Sequence, residues 1–195
     1  MSRVSTAYLL TCAAIGVAGG VLLLGGWLLS LGLFATVPFA SVAIGGLYVI
    51  PAVIGLRLLQ RPLAGLLVGL ISGLVLAPFY TITAVATTLF WSFFPELPFL
   101  VTLYRRWGTW MHYAGAVAIG IAYPLLAAQS FDLWSMTPLA LAVFFVLCTA
   151  SCVAGTWLVI RIADRLQRAG VARLARRREP VLRAEADAVS GGASA

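Results

Sequence analysis

The chain has 195 residues, 62% of them hydrophobic and only 10% charged, and its net charge is +7. A soluble domain is about a quarter charged and under half apolar, so too little polar surface is available here to coat a water-soluble globule. Lipid must be the solvent for most of the chain, and the positive charge, carried by arginine alone, is read as a membrane-topology signal rather than as a nucleic-acid surface.

A spanning helix needs roughly 20 apolar residues, so this length holds about six spans with short connections. The first is expected from about Thr6 to Leu29. Its apolar run continues to Phe34, too long for a signal-peptide core, and reads as an uncleaved span. A small-residue stretch, Phe34 to Ser41, leads to the second helix, about Val42 to Leu59. Gln60-Arg61-Pro62 ends that helix, because proline suits the first turn of the next one. The third helix runs from about Leu63 to Leu76 and is broken by Ala77-Pro78-Phe79-Tyr80. The fourth covers about Ile82 to Leu103 and closes at Tyr104-Arg105-Arg106-Trp107. The fifth covers about Trp110 to Ala127. A polar loop, Gln129 to Thr137, precedes the sixth, about Pro138 to Ile160. The expected organisation is therefore an all-α transmembrane bundle over residues 1–162, a basic cytoplasmic helix over 163–180 and a disordered tail over 181–195.

The charges agree with that map. If the N-terminus is inside, Arg3, Arg57, Arg61, Arg105, Arg106 and the group from Arg161 to Arg183 all fall on the inner face. The outer loops then carry only Asp132. Both termini are thus expected to be cytoplasmic. Trp107, Trp110 and Tyr104 at one edge, and Trp27, Tyr80 and Trp134 at the other, have the positions of interfacial aromatic belts. The arginines after the sixth helix are expected to anchor that end on anionic lipid, with docking of a cytoplasmic protein as the alternative.

Glu96 is the sharpest chemical signal. It is the only acid within a predicted span, nine residues before Arg105, and so roughly 13 Å into the membrane. A carboxyl there is costly and normally faces a cavity or a partner. Thr88, Ser92 and Glu96 recur every four residues and share one helix face. Pro95 and Pro98 flank the glutamate and leave the carbonyls of Trp91 and Phe94 without helical donors. A broken helix at a polar stripe suits a binding cavity; a Glu96 paired with a neighbouring helix is the bland alternative. Tyr48, Trp91, Phe94, Tyr113 and Tyr123 are the aromatic candidates for such a cavity, although aromatics at helical spacing more often pack than bind. His112 reads as interfacial.

Small residues mark packing faces. The first helix has Ala14 and Ala18, with Gly16 and Gly20 beside them, and the third has Gly65, Gly69 and Gly73 in line. Cys12, Cys148 and Cys152 lie in apolar runs and read as packing residues. No metal site or cofactor is expected, since a zinc site wants four ligands and the chain has one histidine. No Walker A, HExxH or GxSxG motif is present, so the chain is read as a binding or transport component rather than an enzyme.

From about Gly46 onward the chain resembles the substrate-binding S components of energy-coupling factor vitamin transporters, in particular the YkoE-like thiamine or hydroxymethylpyrimidine type. The resemblance rests on Leu47-Tyr48-Val49-Ile50-Pro51, Gln60-Arg61-Pro62-Leu63-Ala64-Gly65, Pro95-Glu96-Leu97-Pro98-Phe99-Leu100, and Ile162-Ala163-Asp164-Arg165-Leu166 with Ala169-Gly170-Val171. It implies a multi-pass protein of the bacterial cytoplasmic membrane that captures a small heteroaromatic vitamin. It also implies assembly with a transmembrane coupling subunit and cytoplasmic ATPases. Ala14 and Ala18 match the family's docking pattern on the first helix, and Glu96 matches its fourth-helix glutamate. The expected ligand contacts are Glu96, Ser92, Thr88, Trp91 and Tyr48. A non-transporting membrane scaffold is the alternative reading.

Overall fold

The structure, a computed structural model, describes residues 6–36 and 42–168. Six α-helices make the bundle: α1 Thr6–Thr36, α2 Gly45–Leu59, α3 Ala64–Tyr80, α4 Thr83–Val101, α5 Thr109–Leu126 and α6 Pro138–Arg168. One 3-10 turn, Leu133–Ser135, lies between α5 and α6, and no strand occurs among the described residues. The expected all-α class and order of elements are those observed. The expected basic segment beyond Arg168 and the tail lie outside the described residues.

Three boundaries differ from expectation. The first helix runs past Leu29 to Thr36. Pro78 does not end α3, which runs on to Tyr80. The turn comes at Thr81, whose φ of 69° takes the backbone into the left-handed region. At the other end of the chain, α6 continues without a break through Arg161 and Arg165 to Arg168, so the start of the basic segment is an extension of the sixth helix.

The helices α1, α4 and α6 are each long and apolar enough to cross a membrane, whereas α2 and α3 are shorter apolar helices. Composition explains how a 15-residue helix holds the middle of the bundle. In α2, Gly45, Gly46, Val49, Ile50, Pro51, Ala52, Val53, Gly55 and Leu56 are all buried, and α2 touches α1, α3, α4 and α6. Small residues let those neighbours come within backbone distance. Gly46 and Gly155 meet face to face: a Cβ on Gly155 would lie 3.0 Å from the Gly46 carbonyl carbon. Outward faces carry Leu10, Val17, Val21, Leu139 and Val146, each about half exposed or more, as a lipid-facing surface requires.

At the arginine-bearing end the bundle is closed by polar contacts. The Arg57 guanidinium donates from Nε and Nη2 to Asp164 Oδ1 at 3.0 and 2.9 Å. Its Nη1 donates to Thr109 Oγ1 at 3.2 Å. One side chain thereby ties α2 to both α5 and α6. His112, one turn from Thr109, is buried and packs on the Phe99 ring at 4.9 Å.

Candidate functional site

At the end of the bundle away from the arginines, a cavity of about 390 Å3 opens between α1, α2, α3, α4, α5 and the segment after α5. That size falls in the range of small-molecule sites, roughly 300–1,000 Å3. Its walls are mainly aromatic: Trp27 from α1, Tyr48 from α2, Tyr80 from α3, Trp91 from α4, Tyr123 from α5 and Phe131 beyond it. Trp91 forms the floor, 3% exposed, with its ring 5.3 Å from Tyr48 and 4.8 Å from Tyr123. Trp27 and Tyr80 pair edge to face at 5.1 Å higher on the wall. The polar side chains on the lining are Thr87, Thr88, Ser30 and Ser130, with the three tyrosine hydroxyls.

Local sequence accounts for this geometry. Gly45 lies under the Trp91 ring, where a Cβ would stand 3.3 Å from the indole edge, so the glycine makes room for the floor. Thr87 and Thr88 donate their hydroxyl protons back to α4, to Thr83 O at 3.0 Å and Val85 O at 3.1 Å. Threonine bonds its own helix in this way when no better acceptor is at hand. Both hydroxyls therefore present lone pairs, not protons, to the cavity.

Of the five expected contacts, Tyr48, Thr88 and Trp91 stand on the cavity wall, while Ser92 and Glu96 do not. Glu96 does not face this cavity. It is fully buried, and each of its carboxyl oxygens has a donor: Leu66 N–H reaches Oε2 at 2.8 Å and the Tyr104 hydroxyl reaches Oε1 at 2.8 Å. The helix is not broken either, because α4 runs continuously through Pro95 and Pro98. The Phe94 carbonyl freed by Pro98 is covered by α5, where a Cβ on Gly115 would lie 2.8 Å from it.

The physical reason is a match of two periodicities. The stripe Thr88, Ser92 and Glu96 faces the stripe Gly73, Gly69 and Gly65 of antiparallel α3. A Cβ at each glycine would collide with the side chain opposite, in the case of Gly65 at 2.9 Å from Glu96 Oε2. At the bottom of this seam Glu96 caps α3 from outside. The first amides of a helix have no internal acceptor, and α3 has no side-chain cap of its own. Tyr104 is turned back toward Glu96 by a left-handed pair, Leu103 and Tyr104 at φ 50° and 56°, closed by Tyr104 N–H on Phe99 O at 2.8 Å. Its hydroxyl also accepts from Leu63 N–H at 3.3 Å. Burial, then the bond it donates to Glu96, pushes its pKa up to about 12.

Three aromatic residues of the cavity, Trp27, Tyr80 and Phe131, are not among the site residues expected from sequence, and neither are Thr87, Ser30 and Ser130. Trp27 and Tyr80 were assigned to the interfacial belt, and Phe131 to a loop. The signal was present for two of them. Trp27 follows Gly20 by seven residues and Tyr80 follows Gly73 by seven, so each continues the packed face of its helix. Of the other aromatic candidates Tyr123 lines the cavity, whereas Phe94 and Tyr113 are not on its wall. On α1 the two small-residue lines separate. Gly16 and Gly20 pack on Ile71 and Val75 of α3, while Ala14 and Ala18 are exposed on the opposite face.

The sequence pattern of the family described as "ABC-type cobalt transport system, permease component" matches residues 8–122. A comparison with curated proteins finds no match. Among solved structures, the crystal structure of an S-component of an ECF transporter superposes with a TM-score of 0.78 at 16% sequence identity, over 97% of this chain and 98% of the other. That likeness shows a shared fold.

Proposed function

We propose that this chain, which belongs to the family of ABC-type cobalt transport system permease components, is the substrate-binding membrane subunit of an energy-coupling factor importer. Its ligand is a small heteroaromatic vitamin of the thiamine or hydroxymethylpyrimidine kind, held in the cavity above Trp91. The observation that carries this reading is the cavity itself: six aromatic side chains enclose a ligand-sized space at the arginine-free end of an S-component fold. Rings that already contact one another at about 5 Å offer stacking surfaces to a flat molecule.

The cobalt in the family's description suits this cavity less well. Among the described residues no histidine, cysteine or acid lines it, and no cluster of three such residues occurs. A bare divalent cation would find no ligand set. The exposed Ala14 and Ala18 face supports docking of α1 on a transmembrane coupling subunit, with cytoplasmic ATPases supplying the energy. The setting is the cytoplasmic membrane of a bacterium, with the arginine-bearing end inside.

The test is tryptophan-fluorescence titration of the purified protein with thiamine and hydroxymethylpyrimidine, in wild type and Trp91→Ala. The reading expects saturable quenching that weakens at least tenfold in the variant. Absence of binding by either compound, with cobalt ion bound instead, would overturn it.

A further inference from the structure

We infer that the cavity takes its ligand only in an unphosphorylated, non-anionic form, and favours a ring that carries an amino group or a positive charge. The inference rests on the reading of this cavity as a vitamin site and adds the charge state of what it admits.

Three features carry it. First, among the described residues no arginine, lysine or histidine is on the wall. The nearest arginine along α2 is Arg57, nine residues beyond Tyr48, roughly 14 Å away along the helix axis. A phosphate drawn into this space would lose its water and gain no counter-charge. Second, the fixed polar groups are acceptors. Thr87 and Thr88 spend their protons on Thr83 O and Val85 O, so what they offer a ligand is lone pairs. Those pairs receive N–H donors and repel phosphate oxygens. Third, six aromatic rings stand on the wall, whose negative faces attract cations, and the charged residue next in sequence to the lining residue Phe131 is an acid. Asp132 stands two residues beyond the lining residue Ser130, in a turn closed by Ser135 Oγ on its carboxylate at 2.7 Å. The tyrosine and serine hydroxyls on the wall can donate as well as accept, but they are neutral and supply no counter-charge to a phosphate.

A consequence is a place in a reaction sequence. Phosphate esters of the ligand met outside the cell must first be hydrolysed by a phosphatase. Water attacks phosphorus, the P–O bond to the alcohol breaks, and the free alcohol and inorganic phosphate leave.

The experiment measures dissociation constants by tryptophan fluorescence on the full-length protein in nanodiscs. The probes are three pairs: thiamine and thiamine monophosphate, pyridoxal and pyridoxal phosphate, riboflavin and its monophosphate. Oxythiamine, which lacks the ring amino group, is added. For any pair whose free form binds, the ester is expected to bind at least roughly tenfold more weakly, and oxythiamine more weakly than thiamine. Ser130→Arg, which sets a cation at the exposed rim, is expected to close the gap between ester and free form. Equal affinity for free form and ester in wild type overturns the inference while leaving the vitamin reading intact. Failure of every free form to bind removes the vitamin reading and this inference with it.

Discussion

Replacing Glu96 separates two roles that a buried intramembrane acid can have. Its carboxyl accepts from Leu66 N–H and from the Tyr104 hydroxyl, both at 2.8 Å, and it does not reach the cavity. Glu96→Ala removes both acceptors and leaves the third amide of α3 without a cap. Leaving a buried amide without its acceptor costs about 1–3 kcal/mol, and losing the bond from a partly exposed tyrosine about 0.5–1 kcal/mol. The loss is then roughly 1.5–4 kcal/mol, which for a chain of this size lowers Tm by roughly 3–16 °C. Glu96→Gln keeps the shape and one acceptor and is expected to cost about half as much. The assay is thermal unfolding in detergent followed by near-UV circular dichroism, with thiamine titration of the folded fraction at low temperature. Stability should fall in the order wild type, Gln, Ala, while ligand affinity stays within about twofold, since a change under 0.4 kcal/mol lies below one lost contact. A tenfold loss of affinity at unchanged Tm would refute the cap and return Glu96 to the ligand.

Tyr104→Phe tests the same latch from its other side. The native hydroxyl holds its proton up to about pH 12, above the value near 10 of an unfolded tyrosine. Its contribution is therefore fully present below pH 10 and lost as pH rises toward 12, and the variant should lack that part of the alkaline loss of Tm. Gly69→Ala would place a Cβ 2.7 Å from the Ser92 Cβ. Overpacking of this kind costs about 1–3 kcal/mol, so unfolding should move to lower temperature, and Ser92→Ala in the same chain should recover part of it. Ala14→Trp and Ala18→Trp add bulk to an exposed face. They should leave thiamine binding unchanged and abolish co-purification with the coupling subunit; retained co-purification would move the docking face elsewhere.

Much of the fold was legible because the bilayer restricts the choices. Apolar runs of fixed length, proline and glycine at their ends, and arginines on alternate connections place four of the six helices within a few residues at both ends, while the first and the sixth run on beyond expectation. The errors have local causes. Pro78 was read as a stop, but proline near the last turn of α3 costs only one amide bond that α3 can lose, and the chain turns at Thr81 instead. The site was legible in part. Period-four spacing correctly put Thr88, Ser92 and Glu96 on one face, and the same spacing put Gly65, Gly69 and Gly73 on another. What a single helix cannot reveal is that the two stripes face each other. That pairing is a property of the α3–α4 hairpin, set by Thr81 at one end. Once made, it assigns the polar stripe to packing and leaves only Thr88, at its outer end, within reach of a ligand.

The same seam gives α4 a mechanical position that its polar residues alone do not suggest. Its outer half carries Thr87, Thr88 and the Trp91 floor, and its inner end carries the Glu96 carboxyl on the first turn of α3. Between them runs a continuous helix without a hinge, despite two prolines, because α5 closes over the freed Phe94 carbonyl at Gly115. A rigid rod fixed at one end transmits displacement to the other. A force on the α2–α3 or α4–α5 connection, where Leu63, Tyr104 and Glu96 are bonded together, would move the floor of the cavity without passing through a chain of side-chain rearrangements. Both connections lie at the arginine-bearing end. The costly buried acid thus has a structural role: it joins that end of the bundle to the helix that holds the floor.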